Sequence, residues 1–337
     1  MSVDTQEELW RDEPELVREL VQVNRRTIFR RPNEAGKSIR RRGQHGKHHG
    51  LVEARFVIQD DIPPAYRKGI FATPQTFTCL IRFSSGDRWD DRDEDVHGMA
   101  IKLLDVPGDK LLTGEEASQE HDFLLCDHPN FFTTSLREYT FFNRHFTAMQ
   151  ALRKNKTHFF SRLLAIAAFA LNADLIKRAT AFAAQIMRSP LASHYWSTVP
   201  YLLGDKEGYS LVHYLARSAQ PGDAKPKPVK SEDGIREALE ADLAAHATAF
   251  DFCICPQTNP VTQPIEDPTK RWCTGKNDAC LVRLARIEID QGAENQHARA
   301  ESLVFTPWRA LADHRPIGHI NRSRLQIYQA MSALRLK

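Results

Sequence analysis

Short segments in which apolar and polar positions alternate occur in the first 126 residues of the chain and again after residue 208. Residues 77–84, FTCLIRFS, combine this alternation with the β-branched and aromatic side chains that favour strands. The same reasoning predicts strands at residues 51–58, 77–84, 96–104, 123–126, 209–217, 250–256 and 280–289. The strands therefore form two groups, separated by a long central region of different character.

The central region has the period of a helix. Apolar residues recur with few helix breakers between residues 135 and 190, which predicts helices there. The same period predicts helices at residues 1–23, 231–246 and 319–337. Strands, helices, strands and a terminal helix, in that order, indicate an α+β fold rather than a parallel α/β sheet. The nine apolar residues Leu163–Leu171 are too few for a membrane span, which needs about 18, and predict a buried helix.

The composition is that of a soluble globular protein. Of the 337 residues, 42% are hydrophobic and 26% are charged, which excludes a disordered or collagen-like chain. The acidic, amphipathic start differs from a secretory signal, which needs a basic start followed by an apolar run. The six cysteines are therefore expected to be reduced thiols, and the protein is expected in the cytoplasm.

Positive charge is concentrated near the N-terminus. Residues 24–49 carry nine lysines and arginines against one acid, Glu34, and so have a net charge of +8 in a chain whose total is +3. Residues 24–44 are expected to form an extended basic arm. Such an arm suits nucleic-acid binding or contact between subunits. Its one aromatic residue, Phe29, does not provide the stacking surface of a single-strand binder.

Several familiar motifs are absent from the sequence. It has no GxGxxG after a strand, no GxxxxGK[ST] phosphate loop, no GxSxG and no HExxH. These absences argue against the common nucleotide-binding, hydrolase and metalloprotease classes.

Four cysteines lie between residues 253 and 280 and raise the question of a zinc site. Cys253 and Cys255 are separated by one residue, and Cys273 and Cys280 by six. Neither interval fits the C-x₂₋₄-C spacing of zinc sites. We therefore interpret these residues as core cysteines.

The C-terminal segment carries a pattern with a chemical meaning. Arg324 and Tyr328 are four residues apart and share one face of a helix, and Arg335 follows two turns beyond Tyr328. A guanidinium next to a phenol stabilises the phenolate, which a free tyrosine forms near pH 10. A phenolate is a hard anionic ligand for ferric iron, and tyrosine is the axial haem ligand in catalase. The spacing therefore favours an iron site at Tyr328, with Arg335 placed for a haem propionate.

Five segments resemble, in order and in internal spacing, the motifs of the haem catalase superfamily. Residues 42–50 fit its distal pattern R-x-x-H-x-K-x-x-G, and residues 81–84, IRFS, resemble its VRFS strand. Residues 94–102, EDVHGMAIK, resemble R-D-x-R-G-x-A-x-K, and residues 127–132, DHPNFF, resemble N-T-P-x-F-F. Residues 324–335 complete the set with R-x-x-x-Y and an arginine seven residues beyond the tyrosine. The chain is thus similar to the short, single-domain branch of catalase-related proteins.

The resemblance implies a closed antiparallel β-barrel of about eight strands, with a helical insertion and a C-terminal helix that carries the iron ligand. It implies haem b between the barrel and that helix. Residues 45–337 would form this haem-binding domain. Residues 1–44 would form a helix and the basic arm, through which catalase-like proteins assemble into homo-oligomers. Because the sequence ends two residues after Arg335, the additional C-terminal domains of larger catalases are not expected.

The resemblance also implies roles for individual residues. His45 would be the distal acid–base group, which takes a proton from bound peroxide and returns it to the departing oxygen, and Ser84 would hydrogen-bond near it. Tyr328 would be the proximal iron ligand with Arg324 as its partner, and Phe132 would line the distal pocket. The haem propionates would pair with three arginines, whose forked side chains are always charged: Arg42, Arg82 and Arg335.

Two positions depart from the family pattern. Asp127 stands where the family commonly has asparagine, and an ionised carboxylate cannot donate the hydrogen bond that an amide gives to bound peroxide. His97 replaces an arginine. Our hypothesis is that Asp127, as part of the catalytic set, weakens peroxide disproportionation, so that Asp127→Asn raises oxygen evolution. The neighbouring His48 and His49 are expected to be exposed to solvent.

The function expected from the sequence is a haem-dependent oxidoreductase of the catalase or peroxidase type. Its substrates would be hydrogen peroxide or organic hydroperoxides, together with a small reductant. Two alternatives stay open, a fatty-acid hydroperoxide isomerase resembling allene oxide synthase and a non-catalytic haem or lipid carrier. Nucleic-acid binding through the basic arm is a further hypothesis, which the missing stacking surface disfavours.

Overall fold

The computed structural model describes residues 6–30, 39–154, 166–205, 208–222, 226–273 and 280–336. Its strands are β1 (His48–Ile58), β2 (Thr76–Ser85), β3 (His97–Leu103), β4 (His121–Cys126), β5 (Tyr195–Trp196), β6 (Tyr201–Asp205), β7 (Gly208–Ser218), β8 (Thr248–Pro256) and β9 (Val282–Ile289). Its longer helices are α1 (Glu13–Arg30), α2 (Leu136–Lys154), α3 (Ala173–Ala183), α4 (Gly234–Ala245) and α5 (Gly318–Arg335). Strands and helices together give the α+β class that the order of the patterns predicts.

The strands form a closed antiparallel barrel. The sheet runs β5-β4-β3-β2-β1-β9-β8-β7-β6, and β5 also pairs with β7. Trp196 of β5 pairs with Cys126 of β4 on one side and with Leu215 of β7 on the other. Eight strands therefore close the ring, and β6 extends it as a hairpin partner of β7. Closure satisfies the strand edges that an open sheet would leave unpaired.

An aromatic core fills the barrel. Phe252 lies 5.0 Å from Phe56 and 4.9 Å from Phe123, measured between ring centroids, and Phe123 lies 4.9 Å from Tyr214. These side chains come from different strands and point inward because alternate residues of a strand face opposite sides of the sheet. The residues between them face outward, and some of them, such as Arg55, are exposed to solvent.

The N-terminal helix α1 packs on the outer layer against α5. The guanidinium of Arg322 on α5 binds the carboxylate of Glu13 at 2.9 Å, and the ring of Trp10 stacks on His319 with centroids 4.7 Å apart. These contacts join the two ends of the chain beside the barrel. The predicted division of the chain at residue 44 stays a prediction.

All seven predicted strands are confirmed, with small changes at their ends. The predicted helices over 231–246 and 319–337 correspond to α4 and α5, and the central region contains α2 and α3. The sequence pattern did not reveal β5 and β6. Strand β5 has only two residues, and β6, YLLGD, has five residues in which apolar and polar positions do not alternate.

The N-terminal arm differs from its prediction. Helix α1 begins at Glu13 and continues to Arg30, so residues 24–30 are helical rather than extended, while 31–38 of the predicted arm lie outside the described residues. The prediction of exposure for His48 and His49 is wrong. Both are buried in β1, where the ring of His48 lies 4.0 Å from that of His297 and Nε2 of His49 lies 2.9 Å from Oγ of Ser85.

The apolar run 163–171 is not a buried helix where the structure describes it. Residues 163–165 lie outside the described part, and the side chains of Ile166 and Leu171 are exposed to 47% and 86%. Within the described residues, no helix is long and apolar enough to cross a membrane.

Buried histidines make the fold sensitive to acid. Burial lowers the pKa of five of them, to about 3 for His45, His213 and His314 and well below the ordinary value for His49 and His121. The unfolded chain binds protons near pH 6.5 at these positions and the native chain does not. The free energy of unfolding is therefore expected to decrease as the pH falls below about 6.5, by up to about 1.4 kcal/mol per pH unit for each histidine.

Urea unfolding of the protein at several pH values, followed by far-ultraviolet circular dichroism, measures this dependence. The midpoint is expected to fall progressively between about pH 6.5 and 4.5. An unchanged midpoint over that interval would contradict it. His121→Phe, which removes one buried imidazole, is expected to make the dependence shallower, whereas replacing the exposed His246 leaves it unchanged.

Candidate active site

A cavity of about 410 Å³ lies between the outer face of the barrel and the helices α1, α2 and α5. On the barrel side it is lined by Arg82 and Ser84 of β2 and by Gly98 and Ala100 of β3. Arg82 and Ser84 alternate with Phe83, which belongs to the barrel core. The strand therefore places its polar side chains outside the barrel because its apolar side chains fill the interior.

Helix α5 presents one face to this cavity. Its lining residues recur at intervals of three and four, which is the spacing of a single helix face. They are Ile320, Arg324, Ile327, Tyr328, Met331, Ser332 and Arg335. The residues predicted for the proximal side thus line the same cavity as those predicted for the distal side.

His45 is held in an unusual backbone conformation beside the cavity. Its φ angle is +51°, in the left-handed region that non-glycine residues adopt mainly where the surroundings fix them. Its backbone N–H donates to the carbonyl oxygen of Gly86 at 2.6 Å, and its carbonyl oxygen accepts from Nη2 of Arg82 at 2.8 Å. Its ring Nδ1 lies 3.1 Å from Oγ of Ser84. Three contacts therefore fix the orientation of the imidazole.

The imidazole of His45 is neutral at ordinary pH. Burial is the main cause that lowers its pKa to about 3, and the nearby charges of Arg82 and His97 act in the same direction. When Nδ1 donates to Ser84, Nε2 carries a free lone pair. Such a nitrogen can accept a proton from a ligand in the cavity and return it.

Gly98 makes room for the His45 ring. A Cβ atom at position 98 would lie 2.7 Å from Nδ1 of His45 and 3.0 Å from Oγ of Ser84. Contacts this short displace one of the partners. The glycine in the segment EDVHGMAIK therefore has a packing role that the sequence alone did not reveal.

Arg324 and Tyr328 interact on the opposite wall. Nη2 of Arg324 donates to the Tyr328 hydroxyl oxygen at 3.3 Å, and Nη1 donates to Oδ1 of Asn321 at 3.0 Å. Burial acts to lower the pKa of Arg324, but the adjacent hydroxyls of Tyr328 and Tyr201 outweigh it and raise that pKa above its ordinary value. The guanidinium therefore remains charged beside the phenol oxygen.

Three arginines converge on one carboxylate, that of Glu301. Nη1 of Arg42 lies 2.8 Å from this carboxylate, Nη2 of Arg335 lies 3.2 Å from it, and Nη2 of Arg82 lies 3.6 Å from it. Burial lowers the pKa of all three guanidiniums, to about 10 for Arg82, and repulsion between arginines lowers it further for Arg42 and Arg82. The cluster therefore concentrates positive charge at the cavity wall.

The arginine cluster fits the carboxylates of a haem. Nε of Arg82 is buried and has no hydrogen-bond partner in the described part of the chain, although a buried donor without a partner is unfavourable. The three guanidiniums share Glu301, and an anionic ligand would relieve their mutual repulsion. Propionates are such ligands, and arginine binds carboxylates through two parallel hydrogen bonds.

Aromatic side chains close the cavity on the side of α2 and α3. Phe132 lies 4.8 Å from Phe131, 4.9 Å from Phe142 of α2 and 5.2 Å from Phe182 of α3, measured between ring centroids. All four rings line the cavity, and the role of Phe132 in a distal haem pocket stays a prediction. They give the site an apolar wall that excludes water.

Asp127 is bound to His97 in the structure, and its catalytic role stays a prediction. It is not among the residues that line the cavity. Its two oxygens accept hydrogen bonds at 2.7 Å from the backbone N–H and from the ring Nδ1 of His97. Burial acts to lower the pKa of His97, but the Asp127 charge outweighs burial and raises that pKa above its ordinary value. The carboxylate therefore stabilises a buried imidazolium.

Asp127→Asn is expected to destabilise the fold, because it removes the charge beside the His97 imidazolium, and the sequence hypothesis expects it to raise oxygen evolution from hydrogen peroxide. A histidine whose native pKa is raised contributes stability that is present below about pH 6.5 and is lost as the pH rises through the native value. The difference in unfolding free energy between wild type and variant should thus be largest at acidic pH. Denaturant titrations at two pH values and an oxygen electrode measure both quantities. Unchanged oxygen evolution would contradict the predicted catalytic role of Asp127.

Two further parts of the site could not be recognised from the sequence. Glu301 lies in a segment without a recognisable motif. Its importance is seen only in the structure, where three arginines contact it. The periodic pattern of α2 predicts a helix but does not show that one side of this helix lines a cavity. That side comprises Tyr139, Phe142, Asn143 and Phe146.

Comparisons with known proteins agree with this architecture. No model of a known protein family matches the chain, and no curated protein matches it in sequence. Among solved structures, a fungal catalase superposes with a TM-score of 0.63 at 17% identity and covers 98% of this chain. Catalase A from Saccharomyces cerevisiae superposes with a TM-score of 0.63 at 16% identity and covers 98% of this chain. A bacterial catalase superposes with a TM-score of 0.63 at 15% identity and covers 100% of it.

The chain spans 63% of the fungal catalase, 66% of the yeast enzyme and 63% of the bacterial one. At these identities the likeness establishes the fold. It confirms the predicted catalase-like barrel with helices around it and a helix at its C-terminal end.

Proposed function

We propose that this protein is a haem-dependent oxidoreductase that cleaves hydrogen peroxide or organic hydroperoxides, in the manner of the short catalase-related peroxidases. One observation supports this above all others. A single cavity is lined by the His45–Ser84 pair on the barrel, by Tyr328 with Arg324 on α5, and by the arginine cluster around Glu301. A proton acceptor, an anionic iron ligand and a carboxylate-binding wall are the protein groups that haem peroxide chemistry uses.

The cofactor proposed is haem b, which supplies a ferric iron for cleavage of the peroxide bond when it is bound. Tyr328 would be the iron ligand, with Arg324 holding its oxygen as the phenolate. Arg42, Arg82 and Arg335 would bind the propionates. The donors that the structure places around the cavity therefore match each chemical part of the group.

His45 would move the proton. Nε2 would accept a proton from one oxygen of the peroxide and return it to the other, so that the departing oxygen leaves as water rather than as hydroxide. The hydrogen bond to Ser84 and the left-handed backbone keep the ring in one orientation. The low pKa of the imidazole keeps the acceptor nitrogen available over the neutral range.

An absorption spectrum of the purified protein, followed by a peroxide assay on the same sample, tests this proposal. We expect a haem spectrum with tyrosinate ligation, either as purified or after addition of hemin, and turnover well above that of free hemin. A preparation that stays colourless with hemin would contradict the proposed cofactor. A haem spectrum without turnover would favour the haem-carrier alternative instead.

The apolar wall favours a second candidate, isomerisation of an organic hydroperoxide. Phe131, Phe132, Phe142 and Phe182 line the cavity and offer a surface for a hydrocarbon chain rather than for hydrogen peroxide alone. An isomerase would convert a fatty-acid hydroperoxide into a rearranged lipid without consuming a reductant. Product analysis by mass spectrometry, with and without an electron donor, distinguishes the two activities.

The expected partners are a peroxide or hydroperoxide and a small reductant, and assembly as a homo-oligomer through the N-terminal region belongs to the same proposal. Light scattering after gel filtration tests the assembly. A cytoplasmic location stays a prediction from the sequence.

A further inference from the structure

Three cysteine sulfurs meet on the barrel wall at a place distinct from the cavity. The Sγ atoms of Cys255, Cys273 and Cys280 all lie within 4.8 Å of one another, and none of these residues lines the cavity. Cys273 and Cys280 are joined as a disulfide with Cα atoms 6.0 Å apart, which corrects the expectation that all six cysteines are thiols. Cys255 is a free thiol beside this pair.

The fold brings these cysteines together from separate elements. Cys255 lies near the end of β8 on the outer side of the barrel, since its neighbour Ile254 belongs to the barrel core. Cys273 follows Trp272, and Cys280 precedes β9. The cluster could not be recognised from the sequence spacing. The C-x₂₋₄-C rule describes two ligands from one turn, whereas here one ligand comes from a neighbouring strand.

The surroundings are apolar on the side of Cys255, while Cys273 and Cys280 are partly exposed. Cys255 and Trp272 are both buried in a small apolar cluster with Leu202 and Leu211, and Cys273 packs against that cluster. Such a shell limits the access of water to a metal ion. His213 is the cross-strand partner of Cys255, and its ring lies 4.3 Å from the ring of Trp272. A histidine, whose imidazole is a common zinc ligand, thus neighbours Cys255.

We propose that Cys255, Cys273 and Cys280, once reduced, form a thiolate site for a zinc ion on the outer wall of the barrel. Zinc binds thiolate sulfur at about 2.3 Å with tetrahedral geometry, which places the sulfurs about 3.8 Å from one another. All three sulfurs already lie within 4.8 Å of one another, and the bonded sulfurs of Cys273 and Cys280 must move apart after reduction to reach this spacing. Thiolates select zinc over the oxygen-preferring ions magnesium and calcium.

The disulfide form and the zinc form exclude each other. A phosphine reductant gives two electrons to the Cys273–Cys280 bond, breaks it and leaves two thiols, while the phosphine takes up oxygen from water. Zinc then binds the three sulfurs as thiolates and releases their protons to solvent. The zinc form thus exists in reduced protein, and oxidation of the pair removes two of its three ligands.

Zinc content after reduction tests the proposal. The full-length protein is reduced with a phosphine, given Zn²⁺, desalted and analysed for zinc by mass spectrometry, with haem iron counted separately. We expect about one zinc ion per chain for the wild type. Cys255→Ala should weaken zinc binding by about 100-fold or more in competition with a chelating dye. Cys253→Ala is the matched control, because it removes a cysteine from the same strand outside the cluster and should bind zinc like the wild type.

A measurement on the wild type avoids dependence on the folding of a variant. Reduced protein is alkylated with iodoacetamide with and without Zn²⁺, and the labelled peptides are identified. Zinc should protect Cys273 and Cys280 from alkylation. Absence of retained zinc, equal affinity of wild type and Cys255→Ala, or alkylation unaffected by zinc would each overturn the proposal. Each outcome is independent of haem binding and of peroxide turnover.

Discussion

Replacing Tyr328 with phenylalanine is expected to abolish tyrosinate ligation and to lower peroxide turnover by more than about 100-fold. Groups that merely orient a metal ligand affect metal affinity or activity by about 10- to 100-fold, so loss of the ligand itself should exceed that range. The phenyl ring preserves the packing of α5 on the cavity, because the substitution removes a single oxygen. Absorption spectra and initial rates with hydrogen peroxide measure the effect.

The same tyrosine-to-phenylalanine change at Tyr66 provides the control. Tyr66 packs against the core away from the cavity, and its variant should keep the wild-type spectrum and rate. Arg324→Gln is expected to have an intermediate effect, because it removes the charge that lies 3.3 Å from the Tyr328 oxygen but leaves the oxygen in place. If Tyr328→Phe retained both the spectrum and the rate, the proposed iron ligand would be wrong.

Replacing His45 with alanine is expected to lower kcat/KM for peroxide by about 100- to 10,000-fold, the range that a positioned acid–base group contributes. Haem content and the tyrosinate spectrum should remain, since His45 lies on the barrel wall and Tyr328 on α5. Retained haem with lost turnover would therefore distinguish this variant from Tyr328→Phe. His246→Ala, at an exposed position, controls for the loss of an imidazole.

The pH dependence gives a separate check on His45. A histidine of ordinary pKa would lose its acceptor nitrogen below about pH 6.5. Since burial lowers the pKa of His45 to about 3, kcat/KM should stay level between about pH 5.5 and 8, measured over times shorter than acid unfolding. An inflection near pH 6.5 that disappears in a His45 variant would show that this imidazole titrates normally.

Local patterns were sufficient for most of the fold. The strand pattern of residues 77–84 places Arg82 and Ser84 on one face and Phe83 on the other, and the barrel uses both faces in that way. The helical spacing of Arg324, Tyr328 and Arg335 likewise places them along one side of α5, where the structure has all three on the cavity. Periodicity predicts such features because it follows from backbone geometry alone.

Elements without a local pattern escaped prediction. Strands β5 and β6 are short, yet β5 closes the barrel by pairing with both β4 and β7. The exposure of Ile166 and Leu171 was also not predicted, because an apolar run in the sequence does not show whether another element of the fold packs against it. These features depend on what lies opposite in space.

The sequence by itself determined the strand and helix faces and the order of the motifs, because spacing along a chain fixes which side chains point the same way. Only the tertiary structure decided which of those faces meet. It paired Asp127 with His97, gathered three arginines around Glu301, and brought Cys255 to Cys273 and Cys280. These partners are separated by 18 to more than 250 residues, and the pairing of strands and the packing of loops and α5 on the barrel, rather than any local preference, set their distances.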